Sequence, residues 1–177
     1  MRMRFILAVL SAVALLVPGP SLSAQGHGES EGAEEHGYHK NHGAAFLGAT
    51  THLDPGDTGF TIGVEYARQF SRLLAVAVTV EMASSSLERD IILALPVILY
   101  PWRGLALTLG PGVEAATEEE EHGEEIKEVT KAEFLMRFGL GYWFALNQTV
   151  AASPAVFADV AGGRWSLVYG IVFGVGF

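Results

Sequence analysis

The chain has 177 residues, enough for one domain, and carries 11 Lys+Arg against 20 Asp+Glu, a formal charge of −9. That surplus of acid disfavours nucleic acid as a partner, because polyphosphate would be repelled. Cysteine is absent, which excludes disulfides, thiolate catalysis and thiolate metal sites together.

Arg2 and Arg4 precede an uncharged apolar run, 5–17, and a small-residue stretch ending at Ala24. The run is shorter than the ~20 residues a spanning helix needs and has the anatomy of a secretory leader, so residues 1–24 are expected to be a signal peptide removed on export. Residues 25–43 are rich in Gly, Glu and His with no apolar periodicity, and predict a disordered tail. Within it His36, His39 and His42 recur at every third position, beside Glu34 and Glu35. Imidazole and carboxylate suit zinc, nickel or copper, so these three are the metal-site candidates.

From residue 44 to 177 the pattern has a period of two. Phe60, Ile62, Val64 and Tyr66 alternate with Thr61, Gly63, Glu65 and Ala67; Leu74, Val76, Val78 and Val80 alternate with Ala75, Ala77, Thr79 and Glu81. Phe134 through Phe144 and Trp165 through Phe177 repeat it. One sheet face is bulky and apolar, the other small or charged. Eight strands are expected, at 44–53, 59–70, 73–83, 89–100, 104–116, 130–146, 149–160 and 164–177. The fourth is apolar on both faces, so its phase stays open. The links at 54–58, 84–88 and 117–129 are polar, and the last contains the run Glu118 to Glu121, a block of like charge able to attract Mg²⁺ or Ca²⁺.

A hydrophobic chain with no helical span is readily understood as a closed barrel, which satisfies every backbone N–H and C=O in lipid. Aromatic residues should then mark two girdles: Phe60, Phe134 and Trp165 at one level, and Phe70, Tyr100, Trp102, Tyr142, Phe144 and Phe177 at the other. Phe60 and Phe70 are ten residues apart, which at ~3.3 Å per residue and ~40° tilt spans about 25 Å.

The closing element Tyr169-x-Ile171-x-Phe173-x-Val175-x-Phe177 resembles the last strand of the small eight-stranded outer-membrane barrels of the OmpA/OmpX type. The resemblance covers residues 44–177 as pattern. It implies an all-β, eight-stranded, antiparallel up-and-down transmembrane barrel in the bacterial outer membrane. It also implies outer-membrane lipid as its surroundings and recognition by the barrel-assembly machinery through Phe177. The oligomeric state is left open.

The small face holds Glu65, Glu81, Glu114, Glu133, Arg137 and Asp159, with Lys131 as a further cation. Eight strands enclose a space that side chains fill, so these predict a buried lumen charge network rather than an aqueous pore; a proton or ion path is the sharper alternative. For catalysis, Ser84, Ser85, Ser86 and His52 are the nearest Ser/His candidates and Ser166 has no evident His partner, so no enzyme and no cofactor beyond a divalent cation is expected. The expected role is a structural or surface-binding scaffold. The alternatives are an envelope metal-binding barrel using the His tail and Glu loop, and a soluble periplasmic ligand-binding barrel of lipocalin shape. In the soluble case the phase would invert, with the apolar row central and Glu65 and Arg137 in water.

Overall fold

The computed structural model describes residues 40–54, 56–85, 88–122 and 125–177, with side chains described except at 88 and 118–129. The strands are β1 (Asn41–His52), β2 (Thr58–Ser71), β3 (Leu74–Ser84), β4 (Glu88–Ala94), β5 (Val97–Leu99), β6 (Leu105–His122), β7 (Glu125–Tyr142), β8 (Phe144–Ala145), β9 (Val150–Ala161) and β10 (Arg164–Gly176). All pairings are antiparallel, and β10 pairs with both β9 and β1, which closes the sheet. β5 continues β4 beyond Leu95-Pro96, and β8 continues β7 beyond Trp143, so the ten segments form eight staves.

The interruptions have local causes. Pro96 has no N–H to give the ladder. Its carbonyl still accepts from Ala77 N at 2.8 Å, and Leu95 N donates to Pro111 O at 2.9 Å, so the wall remains hydrogen-bonded. Trp143 N donates instead to Gly104 O at 2.7 Å.

A path of opposed residues runs Leu140, Val156, Tyr169, Ala49, Phe60, Ser84, Arg89, Thr117 and Thr130, returning to β7 ten residues from its start. Eight strands with that stagger require a tilt of about 40° and a backbone radius of about 8 Å. Such a cylinder has room for side chains and little else.

Alternation decides which side chains fill it. Ala75, Ala77, Thr79, Glu81, Ile92, Ala94, Leu135, Arg137, Asp159 and Val168 are buried, whereas Ile62, Val64, Leu109, Phe138, Ile171 and Phe173 on the opposite phase are exposed. The bulky apolar row points outward and the ionisable row inward, the reverse of a lipocalin-like soluble barrel. β4 and β5 follow the same rule: Ile92, Ala94, Pro96 and Ile98 are buried, and Ile91, Leu95, Val97 and Leu99 exposed.

Three glycines act as sockets for interior rings. A Cβ on Gly170 would stand 2.9 Å from Phe46 Cζ, one on Gly174 the same distance from Trp143 Cζ3, and one on Gly139 would collide with the Phe157 ring. At the end bearing the described chain termini, Ala67, Ala75, Ala77, Ile98 and Ala106 pack with Tyr100 and Trp143 into an apolar plug.

Several boundaries differ from expectation. β1 starts at Asn41, three residues before 44, which draws His42 out of the expected tail into the wall, opposite Ala67 and Gly176. The expected loop at 117–129 is largely strand: β6 and β7 pair continuously from Leu105–Tyr142 to His122–Glu125. The two strands stay paired through that stretch, and a 3.1 Å contact between the Thr117 and Thr130 hydroxyls joins them where it begins. Tyr100, expected in a girdle, packs inward because Val97 and Leu99 hold the outward phase.

Candidate functional site: a two-tier polar lumen

Arg137 on β7 is 1% exposed and lies between Glu81 of β3 and Asp159 of β9. Its Nε donates to Asp159 Oδ1 at 2.8 Å and its Nη2 to Asp159 Oδ2 at 2.7 Å. Nη2 also donates to Glu81 Oε2 at 2.8 Å, and Nη1 donates to Glu81 Oε1. The guanidinium sits 4.9 Å from the Phe157 ring centroid. Planar delocalisation is what allows one cation to be forked by two carboxylates and stacked on a ring at once. β7 and β9 oppose Arg137 to Asp159 directly, and the tilt brings Glu81 across the lumen.

Glu65 and Glu81 line a void of ≈ 20 Å³ together with Thr79, Phe46 and Phe157, room for about one water. The Thr79 hydroxyl is buried with no hydrogen-bond partner. A water here would satisfy that hydroxyl and bridge it to a carboxylate.

The second tier lies toward the end bearing the β6–β7 hairpin. His52 closes β1 opposite Ser166 of β10, and Ser166 is in turn opposite Asp159 of β9. His52 Nδ1 and Ser166 Oγ are 3.0 Å apart, and His52 Nε2 is 3.2 Å from Asp90 Oδ2. Glu114, buried on β6, is two residues from the position opposite Asp90. Glu133 is half-buried and faces Arg164 at 3.7 Å. The Thr50 and Thr61 hydroxyls share a 2.6 Å hydrogen bond in the adjacent wall.

The six expected lumen residues are thus divided. Glu81, Arg137 and Asp159 are brought together, Glu65 abuts Glu81 at the void, and Glu114 and Glu133 belong to the outer tier. Lys131 is exposed. His52, Asp90, Ser166 and Arg164 are additions, and the statement that Ser166 lacks a His partner is corrected by the 3.0 Å contact.

Hydroxyl, imidazole and carboxylate stand in sequence at Ser166, His52 and Asp90, an order that nucleophilic catalysis also uses. Here Ser166 is 8%, His52 9% and Asp90 2% exposed. The arrangement keeps three interior polar groups paired, which removes the cost of burying them alone.

Of the tail metal candidates, His36 and His39 lie outside the described residues and His42 is in β1. Among the described residues no three His, Asp or Glu side chains are grouped to hold a metal ion. No described helix is long and apolar enough to cross a membrane, which leaves strands unaddressed.

No protein-family model and no curated protein sequence matches the chain. Solved structures do. Neisserial surface protein A matches with a TM-score of 0.55 and 13% identity over 77% of this chain and 95% of that one. Ail, the attachment invasion locus protein of Yersinia pestis, gives 0.53 and 12% over 79% and 100%. The outer membrane protein OprG of Pseudomonas aeruginosa gives 0.52 and 13% over 81% and 100%. At these identities the likeness is one of fold: the chain is a closed, eight-stranded antiparallel barrel built as the small outer-membrane barrels are.

Proposed function

We propose that this chain is a non-catalytic bacterial outer-membrane barrel, a structural or surface-binding scaffold that projects its β6–β7 hairpin from the membrane. The observation that carries the reading is the outward apolar row. Side chains such as Val64, at 60% exposure, and Phe138, at 45%, would form a water-facing band far beyond the apolar patches of soluble proteins. Exposed aromatics bracket the band, with Phe60, Phe134 and Trp165 toward the hairpin end and Phe70, Trp102, Phe144 and Phe177 toward the other.

The hairpin extends well past its neighbours, since β7 pairs with β9 only from Leu135 onward. With short turns at the opposite end, this suits a cell-surface hairpin and periplasmic chain termini. Export by a leader ending near Ala24 and recognition of Phe177 by the assembly machinery belong to the same reading. The lumen, plugged at one end and ion-paired at the other, supports a sealed post rather than a channel. The names of Neisserial surface protein A and of the attachment protein Ail favour a surface role by analogy of fold.

Fractionation and surface proteolysis test the reading together. The protein should remain with outer membranes until detergent is added, and protease applied to intact cells should cut within 118–128. Release into a detergent-free periplasmic extract would refute it. A fluorophosphonate probe tests the non-catalytic half: wild type should not label, and labelling lost in Ser166→Ala would overturn that half.

A further inference from the structure

Acidic side chains are segregated along the barrel axis. Among the described residues, four of the six exposed cations, Lys40, Arg68, Arg72 and Arg103, lie at the terminus end, where the Phe177 chain end is the one anionic group; the other two, Arg89 and Lys131, lie toward the hairpin end. Every described Asp or Glu lies toward the hairpin end, except Glu65 and Glu81, which line the internal void. A chain of formal charge −9 therefore presents one rim whose charged side chains are all basic.

The four cations occupy one arc. Lys40 precedes β1, and its carbonyl accepts from Gln69 N at 2.8 Å, beside Arg68. Arg72 is in the β2–β3 turn, and that turn is tied to the β5–β6 turn holding Arg103 by Tyr100 N donating to Leu73 O at 2.9 Å. The facing β8–β9 turn, Asn147-Gln148-Thr149, is uncharged.

Depth and direction matter as much as sign. Arg68 stands on the outward row of β2, between Tyr66 and Phe70, so it projects toward lipid at the level of the aromatic girdle. Phe70, Leu73 and Trp102, at 62%, 60% and 72% exposure, lie among the cations. Apolar bodies interleaved with basic heads suit a membrane interface, where a long cationic side chain reaches up to the headgroups. Guanidinium groups there match the oxygens of a phosphodiester.

We propose that this rim is a binding collar for the phosphate groups of anionic phospholipids such as phosphatidylglycerol, in the leaflet at the terminus end. The proposal rests on the membrane reading above. Each basic side chain held at an anionic surface contributes roughly fivefold in affinity. Opposite charge at the two ends also gives the barrel a preferred direction of insertion, with the acidic hairpin repelled by the surface that attracts the rim.

The test uses the full mature chain, folded in detergent and offered phosphatidylglycerol or phosphatidylcholine of identical acyl chains, with retained lipid counted by native mass spectrometry. Wild type should retain phosphatidylglycerol preferentially, and added salt should weaken that preference. R68Q/R72Q/R103Q should lose the preference at least tenfold, whereas R89Q at the hairpin end should keep it. Equal retention of both lipids, or a triple variant that behaves as wild type, overturns the collar. So does a rim that engages only the chain's own Glu29–Glu35 segment, seen as lipid selectivity appearing solely after residues 25–39 are deleted. Failure of the membrane reading has a different signature: no insertion into vesicles of either lipid.

Discussion

Removing the guanidinium of Arg137 while keeping its bulk, as in Arg137→Met, leaves the buried Glu81 and Asp159 without the cation they share. Three of its N–H groups make hydrogen bonds of 2.7–2.8 Å with good charge complementarity, and a further one reaches Glu81. Breaking such a buried set from one side costs about 3–5 kcal/mol, because the partners become uncompensated charges. Either Glu81→Gln or Asp159→Asn leaves the other carboxylate forked on the cation and should cost less, about 1–3 kcal/mol. Replacing all three by apolar residues of similar volume should be close to neutral. The assay is urea unfolding of vesicle-inserted protein followed by tryptophan fluorescence, at low and high salt. A deficit for R137M that persists in 0.5 M NaCl is expected, since buried charges are screened by salt far less than exposed ones. A cost below about 1 kcal/mol, or one abolished by salt, would refute a sealed ion-pair core.

Other perturbations probe separate parts of the account. Gly139→Ala drives a methyl into the Phe157 ring and should cost about 1–3 kcal/mol. Combining it with Phe157→Ala should recover more than 1 kcal/mol relative to the sum of the singles in a double-mutant cycle. Phe138→Arg, in the middle of the outward row, should destabilise the inserted barrel by about 2–4 kcal/mol in the same urea assay, whereas Thr130→Arg near the hairpin should change it by less than 1. Replacing residues 118–129 with a short Gly-Asn turn should leave heat-resistant migration on gels intact, because the wall closes without them.

The strand count and the segregation of faces were legible because a period of two is a local property: Phe138 and Arg137 are neighbours in sequence and announce opposite sides by themselves. Contacts across the lumen are not local. His52 meets Ser166 only because the first and last strands close the barrel in one particular register, and Asp90 joins them from a stretch whose two faces look equally apolar after residue 90. Any up-and-down barrel makes its first and last strands adjacent, so pairing the hairpin-end residues of those two strands was the available signal for His52 and Ser166. The run from Glu118 to Glu121 was misleading in another way. Like charges argue against compaction, not against an extended ladder whose neighbours, Thr117 and Thr130, already set its register. Tyr100 and His42 were misplaced by one phase and three residues respectively, errors that pairing geometry corrects and composition does not.

The absence of native cysteine permits single nitroxide labels without background. With labels at Val64, Phe138 and Ile171, and at inward Thr61 and Val168, paramagnetic accessibility in vesicles measures directly what each row touches. High oxygen and low nickel-chelate collision rates are predicted for the first three, and low values of both for the last two. Strong nickel collision at Phe138 or Ile171 would place that row in water and contradict the assignment of this barrel to a membrane.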